Sequence, residues 1–150
     1  MTLTNGRKSR FVDGYLAYLL AHASFLISNE FHATLARRRI PVMHWRVLAT
    51  LNEGPLSVKE LADFAQCKQS TMSRVIDRME GLGLLRRTVD PIDRRSIRVA
   101  VTPKGKLLAK KLMKLAKEHE RTVLEPFGQA DGRTLMNVLR KLIELHVRER

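Results

Sequence analysis

A single cysteine excludes an intramolecular disulfide, so the fold must be held by its core alone. That lone thiol, Cys67, suits a reducing cytoplasm; burial as a small apolar group is its ordinary fate, and a bridge to another chain is the alternative. Aromatic residues are also scarce, 5% of the 150 residues against 44% hydrophobic overall. Such a composition disfavours a β-sandwich and points to helices packed through Leu, Val, Ile, Met and Ala. No apolar stretch approaches membrane-spanning length, and none directly follows the basic residues of Met1 to Arg10. Neither a membrane span nor a secretory leader is expected, and the chain reads as cytoplasmic. There is no nucleophile set beside a base, no carboxylate pair with a supporting frame and no phosphate-binding glycine loop. Catalysis and a bound cofactor are therefore not expected. The five histidines are scattered, without the three-to-five-residue spacing of paired zinc ligands, so no metal site is expected either.

Acidic residues are in short supply: 15 Asp and Glu face 28 Lys and Arg, a net charge of +13. A field of that sign attracts polyanions. Nucleic acid is the leading partner, an anionic membrane the second, and a merely solubilising surface the bland alternative. Length allows one domain, residues 1–150, with roughly 68–70% of the unfolded surface buried.

Along the chain, apolar residues from Phe11 to about Arg39 recur every three or four positions, predicting one long helix of about 40 Å. Pro41 can open a second, short helix carrying Trp45, Leu48 and Leu51 on one side with Val47 beside them, stopped by Asn52-Glu53-Gly54-Pro55. Ser57 and Glu60 have capping-box spacing and start a third helix through Leu61, Ala62 and Phe64 to about Ala65. A fourth begins near Lys68 and presents Met72, Val75, Ile76, Met79 and Leu82 inward, ending near Gly81 and Gly83. Alternation then replaces helical period. Leu84 to Val89 and Arg95 to Val101 read as strands, joined through Asp90-Pro91-Ile92-Asp93 in a hairpin. Thr102-Pro103 caps a fifth helix with Leu107, Leu108, Leu112, Leu115 and Ala116, reaching toward Leu124; Asp131 is positioned to cap a last one with Leu135, Val138, Leu139, Leu142 and Ile143.

Two short helices, a tight turn and a basic hairpin describe a winged helix-turn-helix, whose second helix fits the major groove of duplex DNA. With its apolar face assigned, that helix is left to present Lys68, Gln69, Ser70, Ser73, Arg74, Asp77 and Arg78. Arg can pair bidentately with guanine, Gln with adenine, and Ser with bases or phosphate. Arg94 and Arg95, near the hairpin tip, suit the narrow, electronegative minor groove of A·T-rich DNA. Asp90 and Asp93 are expected to orient those arginines by pairing with them.

The segments Ser70-Thr71-Met72-Ser73-Arg74-Val75-Ile76-Asp77-Arg78-Met79-Glu80 with Gly83 behind, Asp90-Pro91-Ile92-Asp93-Arg94-Arg95-Ser96, and Val99-Ala100-Val101-Thr102-Pro103-Lys104-Gly105 resemble the MarR family of bacterial transcriptional regulators. The order of helices around them fits as well, so the resemblance spans essentially the whole chain. It implies a mainly α protein with a small β-hairpin, a winged helix-turn-helix with long terminal dimerisation helices. The dimerisation lobe is then about 8–40 and 106–150, and the DNA-binding lobe about 41–105, with a pocket between them. The resemblance places Ser70, Thr71, Ser73, Arg74 and Arg78 at recognition-helix positions and Arg94 at the wing tip. Two residues depart from the pattern: Gln66 stands where many members have a turn glycine, and Lys68 replaces the usual helix-capping acid or hydroxyl.

By the same resemblance, the partners are a palindromic duplex operator, a second copy of the chain and a small-molecule effector; a membrane is not among them. Family members respond to aromatic or phenolic acids, to oxidants or to metal. For an anionic aromatic, His44-Trp45-Arg46 with Tyr15, Tyr18 and His22 offer cations beside aromatic walls, although such residues are more often simply core. A redox switch would require an exposed, activated thiol at Cys67. Repression is favoured over activation, because a small dimer on a promoter blocks polymerase without further contacts. The rival reading is a sequence-neutral architectural DNA-binding protein, which charge alone would equally allow. Only +4 of the net charge lies between Ser57 and Gly105.

Overall fold

The computed structural model describes residues 10–147. Ser9 and the residues before it, which carry most of the basic N-terminal stretch and the outer edge of the first dimerisation segment, lie outside the described residues, as do 148–150. The chain divides into two compact units, Met1–Arg39 and Ile40–Arg150.

In the first unit, a short 3-10 turn, Phe11–Gly14, precedes helix α1, Leu16–Arg37. The predicted start at Phe11 is thus about one turn early. Asp13 accepts the Arg10 backbone N–H at 2.8 Å, and Tyr15 is extended at φ −84°, ψ 120°, so the helical ladder is interrupted before it begins at Leu16. Phe31 and Leu35 are buried, whereas Leu16, Leu19, Phe25, Leu26 and Ile27 are exposed.

The second unit contains α2 (Val42–Thr50), α3 (Val58–Ala65), α4 (Gln69–Gly81), β1 (Leu85–Val89), β2 (Ile97–Val101), α5 (Pro103–Leu124) and α6 (Gly128–Val147). Pro41 is the residue before α2 rather than its first helical residue, with ψ 139°. The buried face of α2 is His44, Val47 and Leu48, continued by Leu51. Trp45 lies a quarter-turn aside and is half-buried. In α3 the inner residues are Leu61, Ala62 and Ala65, and Phe64 is 69% exposed. Met72, Ile76 and Met79 of α4 are fully buried. Val75 is at the edge, and Leu82 is half-exposed because the helix has already ended at Gly81. These side chains, with Val47, Leu48 and Val99, form the core of the unit.

β1 and β2 form an antiparallel hairpin in the register Leu85↔Val101 to Val89↔Ile97. Both strands are shorter by a residue or two than their sequence pattern predicts. Leu56 adds a one-residue third strand, exchanging backbone hydrogen bonds with Val99 at 3.1 and 2.7 Å. Val99, Ala100 and Val101 are all buried, so the expected clean alternation of β2 stops at Arg98.

The hairpin turn is built on carboxylates. Asp90 Oδ1 accepts the backbone N–H groups of Ile92 at 2.8 Å and Asp93 at 3.2 Å, while its Oδ2 accepts Arg98 Nε. Asp93 Oδ1 accepts the Arg95 backbone N–H at 3.0 Å. The expectation that both acids orient the tip arginines is corrected here: they shape the turn, and the arginine that pairs with Asp90 is Arg98, on the strand. The Arg98 bond and the two amides pull the Asp90 carboxyl down to about 2.

Thr102 caps α5 by accepting the Gly105 N–H at 3.1 Å, and its hydroxyl donates to the Gly83 carbonyl at 2.6 Å. At Gly105 helix meets strand: an added Cβ would stand 2.2 Å from the Leu84 carbonyl oxygen and 2.6 Å from a Val101 methyl. Along α5, Ala109 and Leu112 are buried and Leu107 is exposed. After a 3-10 turn, Glu125–Phe127, Gly128 at φ 72° turns the chain directly into α6. Asp131 therefore sits in the first turn, favourable to the helix dipole but not the predicted cap. Leu135, Val138, Ile143 and Leu145 of α6 are exposed.

Two outcomes follow from this packing. Gly105→Ala forces a methyl against backbone that cannot move aside, and should cost about 3 kcal/mol or prevent folding, read by urea denaturation. Asp90 has a folded value below the 3.8 of the free group, so its contribution to stability is complete above pH 3.8 and disappears as pH falls toward 2. In Asp90→Asn that part of the acid limb, measured as unfolding free energy against pH, should be flatter than in the unmodified chain.

Candidate nucleic-acid interface

Helix α3, a tight turn and helix α4 form the helix-turn-helix. Ser57 caps α3, accepting the Glu60 N–H at 3.2 Å, and Glu60 in return accepts the Ser57 N–H at 2.7 Å. Those bonds lower the Glu60 pKa, because they favour its charged form. The turn is made at Gln66, which adopts the left-handed conformation at φ 54°, ψ 46°. A side chain in that conformation costs about 1–2 kcal/mol relative to glycine, which explains why glycine is common at this place. Cys67 follows, half-buried rather than buried, its N–H bonded to the Ala62 carbonyl at 3.0 Å.

Lys68 is the N-cap of α4 and makes no side-chain capping bond. Its position forgoes about 1 kcal/mol that Ser or Asp would contribute. Ser70, Arg74 and Asp77 recur at i, i+4 and i+7, opposite Met72, Ile76 and Met79. Lys68, Gln69, Ser70, Thr71, Arg74 and Arg78 are exposed, and Ser73 is half-buried at the edge of the same surface. Arg78 also lies close enough to the buried His44 for its charge to act there. Burial first, and that positive charge second, push the His44 pKa below 6.5.

Beside this helix stands the hairpin, tied to it by a residue that sequence reasoning missed. Arg87 of β1 reaches Asp77 of α4 at 2.7 Å and also pairs with Glu80, whose other oxygen accepts the Arg87 N–H at 3.1 Å. The signal was available only in part. Alternation puts Arg87 on one strand face, but which helix faces it is a matter of tertiary structure. All four carboxylates of α4 and the hairpin are thereby engaged: Asp77 and Glu80 by Arg87, Asp90 by Arg98, and Asp93 by the Arg95 backbone. Lys68, Arg74, Arg78, Arg94 and Arg95 form no ion pair among the described residues, and all five are exposed.

The residues considered for an effector divide between the two units. Trp45 and Arg46 line a surface groove of about 330 Å³ with Ala49, Thr50, Phe64 and Gln66. Neither Phe64 nor Thr50 was foreseen, because helical period cannot tell a flank residue from a core residue. His44 is buried and does not line the groove. Tyr15, Tyr18 and His22 belong to the first unit, where Tyr18 and His22 stack with ring centres 5.5 Å apart.

Known proteins share this arrangement. The MarR family matches residues 40–97. A solved MarR family transcriptional regulator from Silicibacter pomeroyi, SPO1453, is 36% identical over 91% of this chain and 98% of that one, with a TM-score of 0.81. The HTH-type transcriptional repressor Rv2887 of Mycobacterium tuberculosis is 27% identical over 87% of this chain and 94% of its own length. BpsR of Bordetella bronchiseptica, whose DNA binding is regulated by 6-hydroxynicotinic acid, has the same fold, with a TM-score of 0.75 at 24% identity over 91% of this chain and 97% of that one. With helix-turn-helix, wing and flanking helices in place and a relative that close over nearly its whole length, the chain belongs to the MarR family of DNA-binding transcriptional regulators.

Proposed function

We propose that the protein is a homodimeric repressor that binds a palindromic operator, with α4 in the major groove and the hairpin in the minor groove, and that a small aromatic acid releases it. The observation that carries this reading is the sorting of charge. Lys68, Arg74, Arg78, Arg94 and Arg95 are exposed and form no ion pair among the described residues, while every carboxylate of α4 and the hairpin is held by the protein itself. An uncapped N-terminus at Lys68 supports it further, since free helix N–H groups and a neighbouring ammonium suit a phosphate. Gln69, Ser70, Thr71, Ser73 and Arg74 supply donors and acceptors for base edges.

Dimerisation is supported by the apolar surface of α1 and α6. Helix α1 carries Leu16, Leu19, Phe25, Leu26 and Ile27 exposed around its circumference, whereas a helix apolar on all sides belongs in an interior. Leu135, Val138 and Ile143 mark a second such face on α6. We assign 8–40 and 106–150 to dimerisation and 41–105 to DNA binding. For the effector we favour the groove of Trp45, Arg46 and Phe64, whose lining includes a guanidinium and two aromatic side chains beside the Gln66 turn. A ligand there would act on the junction of α3 and α4. BpsR responds to a compound of the same class, a hydroxylated heteroaromatic acid.

Footprinting on the DNA upstream of the protein's own gene should show a palindrome with half-sites about one helical turn apart; uniform coverage would instead support a sequence-neutral architectural protein. On the protected duplex, Arg74→Ala should lose roughly tenfold to 150-fold in specific affinity and blur one base preference. Lys68→Ala should weaken specific and random duplexes alike and reduce the salt slope by about one. Equal loss on both duplexes for Arg74→Ala would contradict α4 as the reader of sequence. In mobility shifts with a panel of hydroxybenzoic and phenylacetic acids, one compound should release the DNA, and Arg46→Ala should raise the concentration required at least tenfold.

A further inference from the structure

Ile92, at the hairpin tip, is the most exposed large hydrophobic side chain among the described residues, at 97%. Its surroundings make that exposure unusual. Pro91 precedes it with a fixed backbone angle, its own N–H is held by Asp90 Oδ1 at 2.8 Å, and the next N–H by the same oxygen at 3.2 Å. Asp93 then fixes the Arg95 backbone at 3.0 Å. A β-branched apolar side chain is thus presented on a stiff turn, two and three residues from Arg94 and Arg95, and no part of the described chain covers it. A turn needing only solubility would carry a polar residue here.

We propose that Ile92 is a specificity-determining DNA contact, packing against the sugar walls of the minor groove beside the two wing arginines. The inference rests on the reading that the hairpin enters that groove. Stiffness matters because little conformational entropy remains to be lost when the side chain is buried. Two kinds of contact then share one tip. The guanidiniums respond to the electrostatic potential of a narrow groove, and the isoleucine to its width, since dispersion contact loses about a quarter to a half of its strength when the walls stand up to about an ångström too far away.

The two kinds separate by salt. An arginine–phosphate or arginine–groove contact releases counterions; an apolar contact releases none. Anisotropy titrations of the footprinted duplex at several salt concentrations should give about tenfold weaker binding for Ile92→Ala with an unchanged salt slope, and Ile92→Leu should retain most of the affinity. Arg94→Ala should weaken binding and reduce the slope by about one. Because residue 92 is on the surface, its variants should keep the unmodified unfolding midpoint. Loss with Arg94→Ala but none with Ile92→Ala would overturn the assignment of Ile92 and leave the wing reading standing. No loss with either variant would overturn both. Normal DNA binding by Ile92→Ala with impaired repression in a purified transcription assay would also overturn it, transferring Ile92 to a protein contact.

Discussion

The reach of Arg87 from β1 to Asp77 and Glu80 of α4 is the interaction on which the DNA-facing surface depends. A hairpin and a helix can be placed side by side by burying Leu84, Leu85 and Met79, but apolar contact alone permits sliding. A guanidinium held by two carboxylates and a backbone N–H held by one of them define both distance and register. The stabilisation is modest, because such partly exposed pairs contribute about 0–1 kcal/mol. Geometry is the larger consequence. In the proposed complex the helix and the wing fit two grooves of one duplex at once, and an error of an ångström at their junction is magnified at the wing tip.

The same pairing decides the electrostatics. Asp77 and Glu80 would otherwise face a polyanion with two bare negative charges, next to Arg74 and Arg78. Arg87 offsets one of those two charges and engages both carboxylates, which form no ion pair with Arg74 or Arg78 among the described residues. Asp90 repeats the device in the wing, where Arg98 absorbs its charge while its oxygens hold the turn that displays Arg94 and Arg95. Arg87 and Arg98 of the strands are engaged internally, and the helix and tip arginines Arg74, Arg78, Arg94 and Arg95 form no ion pair among the described residues. This explains how a segment carrying only +4 of the +13 net charge can serve as the proposed interface.

Periodicity revealed the parts of this design that local chemistry dictates. Met72, Ile76 and Met79 identify the inner face of α4, Ser57 and Glu60 announce the start of α3, and Asp90-Pro91-Ile92-Asp93 marks the hairpin turn. Failures have a common cause. Periodicity presents Leu82 inward and sets Trp45, Phe64 and Leu107 among the apolar positions of their helices, yet only the neighbouring element determines where a buried stripe stops. Phe11 was included in α1 for the same reason, although Asp13 and the extended Tyr15 break the ladder. Arg87 and Arg98 were invisible as site residues because an ion pair across elements leaves no mark in one-dimensional spacing.

Strain is concentrated at one edge of the helix-turn-helix. Gln66 is held in a glycine conformation, Lys68 begins a helix it cannot cap, and its ammonium stands at the positive end of the helix dipole. Each choice weakens the isolated chain, and glycine at 66 with serine at 68 would relieve both. The two costs at Lys68 diminish if a phosphate approaches the start of α4, as the proposed DNA complex requires. The anion accepts the free N–H groups, favours the dipole and pairs with Lys68. Local stability is therefore set low where an external ligand can restore it, so that DNA binding and completion of the α4 N-terminus are a single thermodynamic event. The groove of Trp45, Arg46 and Phe64 borders this same turn through Gln66. In the proposed reading an effector seated there acts on a joint with a left-handed Gln66 and an uncapped α4, where its differential affinity for two geometries would shift their balance.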